Sequence, residues 1–227
     1  MMLRDKARPR VLPLENGDHL HSAEFLRRYE GMPDVKKAEL IQGRVYMGSP
    51  VRADVHGKPD NLLQTWLGVY AAATPGVEVF TNSTLVLDPD NIFQPDAVLC
   101  LSAERGGKTT LNEKGYLCGP AELVVEIAAS SASIDLYDKM DTYRRCGVRE
   151  YLVWRTTEQR FDWFVLENEE YRSMPPDAEG TLHSPTFPGL TLLVKALLEM
   201  DGAKVLEVLQ NSMKSAAHAE FVKAAQP

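Results

Sequence analysis

The chain has 227 residues, and its 25 Lys and Arg against 32 Asp and Glu give a formal net charge of −7. Hydrophobic residues make up 44% and charged residues 25%, which is typical of a globular protein and excludes disorder over most of the chain. The acidic balance excludes a generic DNA coat, which would be basic over its footprint, but leaves room for a local basic patch that contacts nucleic acid.

Membrane insertion and secretion are not expected. No stretch approaches the roughly 18 uncharged apolar residues that a spanning helix needs. Residues 1–12 are charged and lack an apolar core, so they do not form a secretory signal. Cys100, Cys118 and Cys146 are widely spaced and include no CxxC pair, which excludes a zinc knuckle or a disulfide framework. We therefore expect a reduced, cytoplasmic protein.

Apolar periodicity and turn residues predict the order of the elements. In chain order these are a helix over 23–30 capped by Ser22 and followed by Gly31, a strand or a hairpin turning at Gly43 over 38–46, a helix over 59–73, strands over 77–87 and 96–101, a long loop over 102–120, a strand over 121–129, a helix over 134–146 stopped by Gly147, a strand over 151–154, a hairpin formed by 161–166 and 171–174, and a shorter element over 189–200.

Helices interleaved with apolar strands predict an α/β (α+β) fold with a mixed sheet flanked by helices. The expected domain organisation is a loose lead-in over 1–21, one domain over 22–200 and a helical tail over 201–227. The tail carries apolar residues that we expect to form a docking face: Val205, Leu206, Val208, Leu209 and Met213.

Glu126 is the most informative single residue, because it lies inside an apolar strand. The segment Leu123-Val124-Val125-Glu126-Ile127-Ala128-Ala129 predicts a strand that is covered on both faces. A carboxylate in such a place costs free energy unless it has a cation, a metal or a proton. The structural alternative is a glutamate at the end of a strand that binds a neighbouring arginine or backbone amides.

Asp96 follows Pro95 and opens the next apolar run, at the mouth of a strand where sites of open α/β sheets lie. Alone it would be interpreted as the end of a loop. Lys139 lies on the predicted helix at the edge of a buried stripe formed by Leu136, Met140 and Tyr143, so its ammonium could point into a cleft. Its structural alternative is a solvated i,i+4 ion pair with Asp135.

Together, two acids on neighbouring strands and one lysine indicate metal-assisted phosphoryl chemistry. Asp96 and Glu126 could hold Mg²⁺ or Mn²⁺, with the Ile127 carbonyl as a third oxygen ligand. Such a metal polarises a phosphoryl oxygen and lowers the pKa of a bound water. Lys139 could position that water or offset charge on the phosphorus.

The chain resembles the Uma2 family, an endonuclease branch of the PD-(D/E)XK restriction-endonuclease-like superfamily, from about residue 22 to residue 200. The resemblance rests on the order and spacing of short motifs: ELIQGRV at 39–45, His56, PDAV at 95–98, VVEI at 124–127, Asp135, Lys139, Tyr143 and GVREY at 147–151. It implies a restriction-endonuclease-like fold, with a central mixed sheet flanked by helices.

The resemblance also implies roles for single residues. Asp96 is similar to the acid of the PD motif and Glu126 to the acid of the (D/E)XK motif. The chain departs from the motif at Ala128, where a lysine would stand, and Lys139 on the following helix matches the position that supplies the lysine in this family. Glu39 and His56 are similar to an auxiliary acid and a histidine at the edge of the site.

The main hypothesis is therefore a Mg²⁺- or Mn²⁺-dependent DNA endonuclease. Arg144 and Arg145, on the same helix as Lys139, are candidates for contacting DNA, and a homodimer would suit double-strand cutting. Two alternatives remain open: a binding or assembly module on a catalytically retired nuclease fold, which the acidic balance and Ala128 favour, and a hydrolase of a small phosphorylated ligand.

Overall fold

Two six-stranded sheets form the centre of the fold. The computed structural model describes residues 11–129 and 133–224. Its strands are β1 (Ala38–Ile41), β2 (Arg44–Met47), β3 (Val77–Thr81), β4 (Leu85–Asp88), β5 (Asn91–Phe93), β6 (Ala97–Leu101), β7 (Thr110–Leu111), β8 (Leu117–Cys118), β9 (Leu123–Ile127), β10 (Glu150–Arg155), β11 (Arg160–Glu167), β12 (Glu170–Ser173), β13 (Thr181–His183) and β14 (Thr191–Leu193).

The helices lie around these sheets. They are α1 (Ser22–Tyr29), α2 (Lys58–Ala72), α3 (Met140–Cys146), α4 (Val194–Leu198), α5 (Gly202–Ser212) and α6 (Ala216–Lys223). Two π-helical segments, Ala53–Gly57 and Ile134–Lys139, lead directly into α2 and α3. Pro59 lies in the first turn of α2, as predicted, where its missing N–H costs nothing.

Both large sheets are mixed. The first has the order β2-β1-β5-β4-β8-β7, with β4 and β8 parallel, and the second has the order β12-β11-β10-β9-β6-β3, with β9 and β10 parallel. The chain passes from the second sheet to the first between β3 and β4, and returns between β5 and β6. The predicted mixed α/β fold flanked by helices is confirmed, with two large sheets.

Apolar clusters define four layers. Phe25 of α1 packs on Leu40 and Val45 of the first sheet. The opposite face of that sheet packs on the second sheet and on Tyr143 of α3. The far face of the second sheet packs on α2, α4 and α5, where Trp66 is fully buried. The region between the two sheets is therefore a protein interior, and a polar side chain that points into it is desolvated.

The C-terminal helices pack on this core. Val205 and Leu209 of α5 are buried in the same cluster as Trp66. Leu206 and Met213, also expected on the docking face, pack against it. All three tryptophans belong to this cluster, as expected for core residues.

Several boundaries predicted from the sequence are wrong. The helix α1 begins at Ser22 with His21 at its N-cap, so Ser22 does not cap it. The single strand expected over 77–87 is two strands in different sheets, because the chain turns at Asn82, where φ is 48°. The expected loop over 102–120 contains the short hairpin β7–β8. Part of the lead-in, residues 1–10, lies outside the described residues.

The helix predicted over 134–146 is also different in its first half. Residues Ile134–Lys139 are π-helical, and only Met140–Cys146 are α-helical before Gly147, whose φ of 85° ends the helix as predicted. The winding changes which side chains face inward, so Leu136 and Met140 are only partly buried and the predicted stripe is wrong there. Asp135 and Lys139 are buried instead, whereas Tyr143 is buried as predicted.

Candidate active site

Three acidic side chains point into the region between the two sheets. The pairing of β6 with β9 matches Ala97 with Val125, so one further step places Asp96 opposite Glu126 on neighbouring antiparallel strands. Side chains opposite each other in such a pair lie on the same face of the sheet. Glu39 of β1 enters the same region from the first sheet, and its Oε1 accepts a hydrogen bond of 2.9 Å from the Gln94 backbone N–H.

Lys139 connects these acids across the two sheets. Its Nζ lies 2.9 Å from Oε2 of Glu39, 3.0 Å from Oε1 of Glu126 and 3.3 Å from Oδ1 of Asp135. The hydroxyl of Tyr143 donates a second hydrogen bond, of 3.1 Å, to Oε1 of Glu126. The Lys139 side chain is only 5% exposed, so the ion pair with Asp135 is buried and not solvated.

Asp96 lies beside this group and has different partners. The Ile127 backbone N–H donates a hydrogen bond of 2.6 Å to its Oδ2. Its Oδ1 lies 3.3 Å from Nε2 of His56 and 3.8 Å from Nζ of Lys37, and no described residue gives Oδ1 a well-aligned hydrogen bond. His56 is on the π-helical segment before α2, and its buried Nδ1 has no hydrogen-bond partner among the described residues.

Burial and neighbouring charges shift the pKa values of these groups. Burial raises the pKa of Glu126 to about 8, although Lys139 acts in the opposite direction. Burial also acts to raise the pKa of Asp96, but the contacts with His56 and Lys37 outweigh it, so this pKa is lowered. The contact with Asp96 raises the pKa of His56. Burial therefore favours the protonated form of Glu126, whereas the neighbouring basic groups favour the ionised form of Asp96.

A cavity of about 310 Å³ opens onto these side chains. Its charged lining residues are Lys37, Glu39, Arg52, His56, Asp96, Glu126, Asp135 and Lys139. Its apolar lining includes Ile41, Tyr46, Met47, Val51 and Val55. Four carboxylates, from Glu39, Asp96, Glu126 and Asp135, therefore share the cavity with the basic groups of Lys37, Arg52, His56 and Lys139.

The donor set fits a hard divalent cation in part. Among the described residues, no three His, Cys, Asp or Glu side chains are arranged as a metal site. The ammonium of Lys139 explains this, because it lies among Glu39, Glu126 and Asp135. Asp96 and Glu126 nevertheless stand opposite each other on one cavity, and Oδ1 of Asp96 is buried without an aligned donor. Two carboxylates with a nearby carbonyl oxygen suit Mg²⁺ or Mn²⁺.

The structure brings together six residues singled out from the sequence, namely Glu39, His56, Asp96, Glu126, Ile127 and Lys139. Arg144 and Arg145 do not line the cavity. Both pair with Asp141 on their own helix, at 2.9 and 3.0 Å. Their role in contacting DNA stays a prediction.

Sequence reasoning missed two members of the site. Lys37 was not singled out, although it stands two residues before Glu39, and alternate residues along an extended segment lie on the same side. Asp135 was considered only as a solvated partner of Lys139. The i,i+4 spacing was the available signal, but burial of the pair depends on packing that the spacing does not encode.

The fold is shared with a solved structure. It matches the crystal structure described as "a putative nuclease belonging to DUF820", from Anabaena variabilis, with a TM-score of 0.60 and 15% sequence identity, over 77% of this chain and 97% of that chain. A model of the family named Uma2, described as "Putative restriction endonuclease", matches residues 22–195. The chain therefore belongs to the Uma2 family. A comparison with curated proteins finds no match.

The described residues were also searched for membrane-spanning helices. None of their helices has the length and the apolar character needed to cross a bilayer.

Proposed function

We propose that this protein is a metal-dependent endonuclease that hydrolyses phosphodiester bonds of DNA in the cytoplasm. Asp96, Glu126 and the Ile127 carbonyl would hold Mg²⁺ or Mn²⁺, and Glu39 and His56 would support them. Double-strand cutting would require two copies related by a two-fold axis, since one copy has one such site. Arg144 and Arg145 would contact the DNA outside the cavity.

The observation that carries this proposal is the convergence of Asp96, Glu126 and Lys139 on one cavity. The three residues are on different elements, and each is less than 5% exposed. Isolated charges at this depth would destabilise the fold. A cluster of buried charged side chains that share one cavity is therefore a candidate functional site. A bound divalent cation would supply a polarised phosphoryl oxygen and a water of lowered pKa.

The residues of the chain have separate tasks in this reaction. The Ile127 N–H fixes Oδ2 of Asp96 and leaves Oδ1 directed at the ligand. Lys139 and Tyr143 both hold Oε1 of Glu126, so the orientation of this carboxylate is set before substrate arrives. This preorganisation lowers the cost of binding a cation and a phosphate together.

The test is nicking of supercoiled plasmid in Mg²⁺ or Mn²⁺ by the wild type and by Asp96→Asn and Glu126→Gln. We expect each variant to lose more than about 100-fold in rate, since even removal of a residue that supports a metal ligand costs 10–100-fold. Asp138→Asn, an exposed acid on the segment that carries Lys139, is the matched control and should nick at the wild-type rate. Equal rates for all four proteins would mean a contaminating nuclease and would exclude this assignment.

A second candidate is a binding or assembly module without catalysis. It is favoured by the ammonium of Lys139, which lies where acids would otherwise gather around a metal. Calorimetric titration with Mn²⁺ separates the two. Saturable binding that is lost in Glu126→Gln supports the endonuclease, and no binding supports the module. Turnover of a chromogenic phosphodiester without affinity for DNA would instead indicate a hydrolase of small ligands.

A further inference from the structure

We infer that Lys37 is the residue that contacts the phosphate of the substrate, and that Lys139 is a positioning residue for the carboxylates. This inference rests on the proposed function and assigns the two lysines of the cavity to different tasks.

The ammonium of Lys139 is enclosed by acids. An ammonium group has three N–H donors. Three carboxylates surround this one, from Glu39, Glu126 and Asp135, at 2.9 to 3.3 Å. Its side chain is 5% exposed, so a phosphate that reached it would have to displace one of these acids. Lys139 therefore orients the acids and does not meet the reacting group.

Lys37 has the opposite surroundings. Its side chain is 33% exposed and lines the same cavity. Its closest acidic partner is Oδ1 of Asp96 at 3.8 Å, which is too far for a hydrogen bond and leaves the ammonium free to turn toward a ligand. Its backbone is fixed, because its carbonyl oxygen accepts a hydrogen bond of 3.0 Å from the Gly48 N–H.

Gly48 is also what lets the Lys37 side chain lie there. A Cβ at position 48 would come within 2.9 Å of Cβ of Lys37. A side chain at position 48 would therefore displace the backbone and stem of Lys37, whose ammonium lies beside Asp96, the acid proposed to hold the metal. A point charge in this place is suited to a phosphate oxygen.

The reaction that Lys37 would assist is a hydrolysis. The oxygen of a water forms a bond to phosphorus, the bond from phosphorus to one sugar oxygen breaks, and the proton that the water loses replaces phosphorus on that sugar oxygen. Negative charge accumulates on the phosphoryl oxygens as this happens. Lys37 would offset this charge without exchanging a proton.

The test uses Lys37→Met, Lys37→Arg and the matched control Lys36→Met. Lys36 is the neighbouring, exposed lysine, and its Nζ donates a hydrogen bond of 3.1 Å to the Pro33 carbonyl oxygen. Binding of a fluorescein-labelled DNA duplex is measured by anisotropy in Ca²⁺ over a range of salt concentrations. Plasmid nicking is measured in Mg²⁺, and Mn²⁺ affinity by calorimetry.

We expect Lys37→Met to lower the slope of log affinity against log salt by about 0.9, the value for one lost phosphate contact. We expect kcat to fall on the order of 100-fold, as for the loss of one donor to a developing charge. Lys37→Arg should keep the wild-type slope, and Lys36→Met should change neither quantity. Mn²⁺ affinity should not fall in any of the three variants.

An unchanged salt slope in Lys37→Met, with an active wild type, overturns the inference and leaves the proposed function standing. A slope that falls equally in Lys36→Met also overturns it, because the effect is then one of general charge. If the wild type neither binds nor nicks DNA, both the inference and the proposed function fail. If Lys37→Met is poorly folded, Lys37→Gln, a second neutral variant, is measured in its place and the same changes in salt slope and kcat are expected.

Discussion

Nζ of Lys139 lies 3.0 Å from Oε1 of Glu126, and both side chains are buried between the two sheets. The same ammonium reaches Glu39 on the first sheet, at 2.9 Å from its Oε2. One cation therefore compensates acids that belong to two separate sheets, and removing either side of the contact leaves an unpaired charge in an apolar interior.

Lys139→Met should destabilise the protein by about 3–5 kcal/mol, as expected when one partner of a buried ion pair is removed. The reason is that Glu39, Glu126 and Asp135 would lose their common cation. The double variant Lys139→Met/Glu126→Gln should lose less than the sum of its parts. Urea unfolding at neutral pH measures both, with Lys36→Met as the exposed control. Strict additivity would show that the two side chains do not interact.

The stability of the metal-free protein should depend on pH through Glu126. Its pKa rises from an ordinary value of 4.5 to about 8 in the folded protein. Between these values the native state keeps a proton that the unfolded chain has lost, so stability falls as the pH rises through this window. Glu126→Gln should remove this part of the pH dependence. Urea unfolding in EDTA from pH 4 to about 9 tests this, and parallel profiles for the two proteins would contradict it.

Tyr143→Phe should weaken metal binding more than it weakens the fold. The lost hydroxyl donates to Oε1 of Glu126, so we expect a cost of about 1 kcal/mol in stability and about a tenfold loss of Mn²⁺ affinity. Tyr171→Phe is the control, since its hydroxyl donates to the Val148 carbonyl oxygen, away from the cavity. Equal Mn²⁺ affinities for the two variants would remove Tyr143 from the site.

Gly107→Ala should destabilise the protein more than Gly106→Ala. A Cβ at Gly107 would lie 1.8 Å from the Leu101 carbonyl oxygen, at the end of β6, and backbone must move to relieve the overlap. This type of overpacking costs about 1–3 kcal/mol. Gly106 has open space around it but a φ of 77°, so alanine there costs only about 1 kcal/mol of backbone strain. Thermal unfolding ranks the two variants, and the reverse order would be incompatible with this packing.

Much of the candidate site could be predicted because Asp96 and Glu126 break an apolar pattern. An acid inside a strand that is buried on both faces is visible in one sequence, and its need for a partner follows from desolvation. The mixed α/β fold was predictable for a similar reason, since the alternation of helices and strands is local. The sequence could not predict that the chain passes from one sheet to the other between β3 and β4 and returns between β5 and β6.

The π-helical winding of the segment before α3 could not be predicted from the sequence either. A regular helix predicts Leu136 and Met140 on the buried side, whereas the π-helical segment Ile134–Lys139 buries Asp135 and Lys139. Such a segment depends on tertiary contacts, and propensities of single residues do not reveal it. Lys37 was missed because two adjacent lysines in a sequence are typical of a solvated surface.

The turn of the hairpin β7–β8 is exposed at residues 112–115 and falls between the residues of the site in chain order. Glu39 and Asp96 precede it, whereas Glu126 and Lys139 follow it. A polypeptide cut at this turn would yield two fragments, each with only part of the candidate site. If the proposed function holds, neither fragment alone hydrolyses DNA, and activity returns only on reassociation. The molecule thus lends itself to a split reporter whose signal requires both halves.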